Sequence, residues 1–247
     1  MKIQMLFVAQ HIGFAGLLSW AVICPVYAQG GQVREIGLAP ASKSSDTAVQ
    51  TSSVVLPFPI SITEPGNYRL NTNLSGGGRG AISIESSDVT LDLNGFSVTA
   101  IGNVIVATGF NNVAILNGTI GGGEEAIIAG SNCRVEKLRI AGGADGMSLG
   151  TNCIVKDNTV QAAHTGIVCS GCVVSGNTVS TISDVAIGVA NSSLVVGNTA
   201  TSTGNIALVA DDTTGYAQNV LHGNQADVSG GVQIGQNLCV TSKICPP

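Results

Sequence analysis

Charged side chains are scarce, at 10% of the 247 residues, and aromatic ones scarcer, at 4%. The single Trp, Trp20, lies in an N-terminal apolar stretch, and beyond residue 28 the only aromatics are Phe58, Tyr68, Phe96, Phe110 and Tyr216. Few amphipathic rings remain of the kind that commonly build sugar-contact surfaces. Low charge combined with 44% hydrophobic residues excludes a disordered chain, which needs the reverse balance. The net charge is −5 with no block of one sign, so there is no basic face for nucleic acid. What fills the chain instead is glycine, 33 in all, with Val, Ile, Asn and Thr. That mixture favours an all-β fold rich in turns.

From residue 131 onward the sequence repeats itself. The pieces SNCRVEKLRI, TNCIVKDNTV, SGCVVSGNTV and NSSLVVGNTA each begin about 20 residues after the last. Cys133, Cys153 and Cys172 hold one place in the repeat, with Ser193 in the fourth copy, and Asn158, Asn177 and Asn198 hold another. A short period with like residues in register marks a solenoid, and each copy is too short and too β-branched for a helix. Each copy is therefore read as one turn of a parallel β-coil, with about seven or eight turns over 81–235. Alternation at Ile82 and Ile84, then Val89, Leu91 and Leu93, fits strands with one face buried. Neighbouring turns lie about 4.8 Å apart, so the three thiols should pile up inside as small hydrophobes. The Asn residues should sit at tight corners, tolerate left-handed backbone and bond to one another in a ladder. Gly118, Gly176 and Gly197 flank such corners, where a Cβ would crowd.

The ends read differently. Residues 1–28 resemble a signal peptide: Lys2, an apolar run over Ile12–Ile23, and Val26-Tyr27-Ala28 before Gln29. An uncleaved anchor and a lipoprotein using Cys24 are the alternatives; the run is short for a membrane span, and none is expected in the mature chain. Residues 29–53 lack periodicity and read as a flexible linker. Residues 54–80, with Pro57, Pro59 and Pro65, read as an N-terminal cap over the first coil. In the tail, 236–247, Cys239 and Cys245 fall outside the repeat; an oxidising compartment would pair them as a disulfide, free thiols being the alternative. Cys169 and Cys172 form one C-x-x-C, a weak signal for metal or redox chemistry without a second pair.

The run PFPISITEPGNYRLNTNL, then ISIESSDVTLDLNGFSV, then G-I-x-V and G-N-T-V repeats resembles bacterial right-handed parallel β-helix repeat proteins over roughly 54–240. The resemblance implies a single-stranded, right-handed, pectate-lyase-like coil. Relatives of that architecture include pectate lyases, polygalacturonases, alginate epimerases and phage tailspikes, so the fold alone does not choose a function. Polygalacturonase-like enzymes carry four short motifs on successive coils. Here Asp211-Asp212 and His222-Gly223 match two of them, the Asn-x-Asp and Arg-x-Lys partners are missing, and the Asp-Pro-His of the epimerases is absent.

Two clusters remain. Arg134, Lys137, Arg139 and Lys156 lie near Glu136 and Asp157 on adjacent turns. A lyase could use such bases with calcium, but neighbouring-strand pairing of Glu136 with Lys156 and Lys137 with Asp157 accounts for them. The second cluster, Asp145, His164 with Thr165, and Asp184, should line one edge of the coil. Two turns would separate its carboxylates by about 9.6 Å, near the upper limit for an inverting pair. This edge is the candidate binding site, with solvated turn residues as the plainer reading. The sequence thus leads to a secreted, periplasmic or cell-surface module with a structural or carbohydrate- or ligand-binding role, and to a lyase or glycoside hydrolase on acidic polysaccharide as the alternative. No metal or cofactor is expected, Ca2+ entering only under the lyase reading.

Overall fold

The computed structural model describes residues 33–37, 58–242 and 245. The proposed signal peptide lies outside them. Every ladder between the strands is parallel, and no described residue is helical. Strands are short because the turn residues come often. A nine-stranded sheet and a seventeen-stranded sheet together wrap the coil. The larger sheet forms two walls. Ala114–Gly122 and Arg134–Ala141 run through both, while later turns break between the walls, as at Ile154–Lys156 and Thr159–Ala162.

The core is three stacks of apolar side chains. In the nine-stranded sheet Ile82, Ile105, Ile127, Met147, Ile167 and Ile187 follow one another in register, all buried. Leu91, Ile115, Val135, Val155, Val174, Val195 and Tyr216 do the same on one wall. Val98, Ile120, Ile140, Val160, Val179, Ala200 and Leu221 do so on the other. Burying each large aliphatic is worth about 1.5–3 kcal/mol, and the period of two within each strand delivers one such residue to the axis at every turn of every wall.

The parallel solenoid expected from the repeats is present, but with about nine turns where the repeat count suggests seven or eight. The additional coil lies in the segment read as a cap. Ile60–Ile62 pairs with Ile82–Ile84, Gly66–Leu70 with Val89–Asp92, and Leu74–Ser75 with Ser97–Ala100, so this segment is itself a turn. Pro59 and Pro65 each stand immediately before a strand, where a missing N–H costs no ladder bond, and Pro57 lies outside the described residues. The stretch read as linker also contributes structure: Val33–Ile36 is a strand pairing with Asn67–Leu70. Four residues with one buried side chain, Ile36, carry too little pattern to be seen in sequence. At the other end Leu238–Cys239 pairs with Val220–Leu221, carrying the sheet past residue 235.

Candidate functional site

Backbone hydrogen bonds fix the proposed edge. Asp145 N–H donates to the Glu124 carbonyl (2.8 Å), and Gly146 N–H to the Thr165 carbonyl (2.8 Å). Gly166 N–H donates to the Val185 carbonyl (3.0 Å). The column therefore runs Glu125, Asp145, Thr165, Val185, with Glu125 and Asp145 direct register partners. His164 donates its N–H to the Ala144 carbonyl (2.8 Å) and lies in the neighbouring column, as does Asp184. The three residues share an edge of the coil but not one line along it.

One carboxylate oxygen of each Asp is engaged in holding a turn. Asp145 Oδ1 accepts the Thr165 backbone N–H at 2.9 Å. Asp184 Oδ1 accepts the Asn205 side-chain amide at 3.2 Å, and its carbonyl accepts the hydroxyls of Thr181 and Ser202. His164 and Asp184 are exposed, Asp145 half-buried. One residue missed in sequence belongs here: Glu125. Burial first, then the charges of Asp145 and Glu124, hold its carboxyl above the ordinary value. Such a pair of carboxylates is legible only once adjacent turns are aligned, because the residues are 20 apart. No group of three or more His, Cys, Asp or Glu among the described residues is placed to hold a metal ion.

The other constellations separate. Asp211 organises a turn, accepting the Asn191 backbone N–H at 2.7 Å and the Thr214 hydroxyl at 2.8 Å, and these donors bring its pKa down to about 2. His222 stands on a different wall, register partner of Thr201. Glu136 does lie opposite Lys156, but the ion pairs close within each turn, Arg134 to Glu136 at 3.8 Å and Lys156 to Asp157 at 3.7 Å. Side chains there are exposed enough for such pairs to contribute little.

The repeat residues serve the coil. Asn158, Asn177 and Asn198 are buried, and the ladder extends to Asn219 and Asn237. Each backbone N–H in the series donates to the side-chain oxygen of the Asn one turn on, at 2.9 Å in every case. The ladder Asn residues are not the left-handed ones. Positive φ falls on the residue before each of the first four: Asp157, Gly176, Gly197 and Gln218. That residue turns the corner, and the next side chain is thereby aimed inward. At Gly197 a Cβ would meet nothing within 4 Å, so the requirement there is conformational; at Gly118 it would lie 2.4 Å from Leu93 Cβ, a requirement for space.

Cys133, Cys153 and Cys172 are buried on successive turns. They are not free thiols. Cys133 is joined to Cys153, with Cα atoms 4.5 Å apart, and Cys172 to Cys169. Cys239 is joined to Cys245. Three disulfides point to an oxidising compartment. No helix among the described residues is long and apolar enough to cross a membrane.

Fold, register and repeat chemistry together define a parallel β-helix repeat protein. No protein-family model matches the chain, and no curated protein matches it.

Proposed function

We propose that this chain is an exported, non-enzymatic β-helix module with a structural or carbohydrate- or ligand-binding role at the cell surface or in the periplasm. The observation that carries the reading is the state of the candidate edge: Asp145 and Asp184 each hold a turn, and they stand in different columns, with exposed His164 in the column of Asp184. General acid–base chemistry needs groups that converge on one point. The signal-like residues 1–28 and the disulfides support export.

The purified protein should be screened against acidic and neutral polysaccharides, following retention and product formation together. Retention without unsaturated or shortened products supports a module. One observation favours a second reading, a lyase or hydrolase on acidic polysaccharide: Glu125 beside Asp145, its carboxyl raised mainly by burial. Turnover that disappears in Asp145→Ala or Asp184→Ala would establish that reading instead, and a calcium requirement would identify it as lyase chemistry.

A further inference from the structure

One wall of the coil displays short polar side chains in two ranks, five hydroxyls and one amide. Thr159, Thr178 and Thr199 are register partners on three consecutive turns, and all three are exposed. Beside them, two positions along each strand, stand Gln161, Ser180 and Thr201, also in register. Along the coil the repeat is about 4.8 Å, and across each strand about 6.6 Å for two residues. The pairing carries no register shift over these strands.

Three features make this array rigid and uniform. The intervening residues Val160, Val179 and Ala200 are buried in the core, so each strand is held from behind. Threonine is β-branched, which restricts χ1 and fixes each hydroxyl and methyl. The asparagine ladder enters at the strand starts, through Asn158, Asn177 and Asn198, and flat sheets are commonly maintained by such side-chain ladders. No charged side chain projects from these three strands; the nearest in register is Arg139, one turn before Thr159. A charge would orient water radially around itself, whereas neutral hydroxyls and methyls at fixed spacing can hold water in rows. Regular in spacing, uncharged and without an aromatic ring, the wall suits a repetitive, hydrogen-bonding solid better than a single sugar chain. The spacing along the coil lies near one oxygen repeat of the ice lattice.

We propose that the Thr159–Thr178–Thr199 wall binds ice. The inference rests on the module reading only in that the chain acts by binding and meets the extracellular medium. The full chain is tested by growing ice slowly from a dilute solution and measuring the protein fraction taken into the solid, against a control protein that ice excludes. Enrichment in the ice is expected. Thr178→Lys and Thr199→Lys should each lower uptake several-fold with the thermal melt unchanged. Ile154→Lys, at an exposed site on the adjoining wall, should leave uptake unaltered. Arg139→Thr should raise it, because Arg139 interrupts the rank between Thr119 and Thr159. Exclusion of the native protein from ice, or equal uptake by folded Thr178→Lys, overturns the proposal. A polysaccharide pull-down on the same variants separates the two readings: glycan retention lost in Thr178→Lys, without ice uptake by the native chain, overturns ice as the ligand and leaves the module reading standing.

Discussion

Asp227 occupies an inward position that earlier turns fill with Ala126, Gly146, Gly166, Ala186 and Ala207, all buried. A carboxylate among such neighbours costs several kcal/mol unless donors replace its lost water. The tail supplies them. Asp227 accepts the backbone N–H groups of Gly223 (2.9 Å), Thr241 (2.9 Å) and Ser242 (3.0 Å), and the Ser242 hydroxyl (3.1 Å). Burial alone would raise its pKa, but these donors outweigh it and hold the group below its ordinary value of 3.8. Because the folded pKa is depressed, the stabilisation is complete above the unfolded value and is lost as pH falls through the folded one. Acidification below about pH 4 should therefore loosen the tail, read as faster amide exchange at Thr241 and Ser242. Asp227→Ala would leave buried N–H groups unpaired and should cost about 1–3 kcal/mol in chemical denaturation at neutral pH, with much less loss at low pH. This residue was not legible in QADVSGG, which reads as one more strand: its partners lie 14 and 15 residues further on, in a tail outside the repeat.

At the scale of a single turn, the corner and the strand depend on one another. Asn177 accepts the Asn158 backbone N–H and donates to the Val155 carbonyl of the previous turn (both 2.9 Å) and to Asn198 Oδ1 of the next (3.0 Å), so one side chain ties three turns together. Asn177→Ala should cost about 2–3 kcal/mol, since it orphans a buried donor and a buried acceptor. Asn177→Asp should cost at least as much, because a carboxylate cannot donate to the Val155 carbonyl or Asn198 Oδ1. Equal melting temperatures for Asn177→Ala and the native protein would contradict this account. Strand starts are as demanding: a Cβ at Gly166 would lie 2.3 Å from Val179 Cγ1 and 2.4 Å from the Ala186 carbonyl. Gly166→Ala should therefore destabilise by about 1–3 kcal/mol through overpacking, measured by the same denaturation. The ladder was legible because the same side chain returns at a fixed place. Its geometry was not, since a one-letter repeat cannot show whether Asn158 or the preceding Asp157 takes the positive φ. The alignment along the candidate edge was hidden on similar grounds. The stretch from Asn177 to Ile187 is one residue longer than that from Asn158 to Ile167. That addition moves Asp184 out of the column of Asp145, and only the backbone bonds reveal where it is absorbed.

For the whole molecule the controlling fact is that each turn touches only its neighbours, so stability is close to a sum of turn energies and nearest-neighbour terms. The two ends then have the least support and the middle turns the most. The architecture was readable because three apolar stacks each need a residue of one kind at every turn, which imprints the period on the sequence. The first turn escaped because Pro59 and Pro65 stand just before two of its strands and break the resemblance to the later repeats, and Val33–Ile36 escaped because it is separated from its partner strand by residues 37–65. Neighbour-limited stability gives a sharp expectation for the terminal disulfide. Cys239 ends the third core stack, and its bond to Cys245 closes a short loop over the last turn. Cys245→Ser should lower stability by about 2 kcal/mol or less, the small loop limiting the entropic gain. Its effect on amide exchange should be confined to 220–242, while protection over Ile127, Met147 and Ile167 stays at the native level. If exchange instead rises uniformly along the coil, unfolding is a single all-or-none event, and the tail clamp at Asp227 would have to be counted as part of the global core rather than as the lid of its last turn.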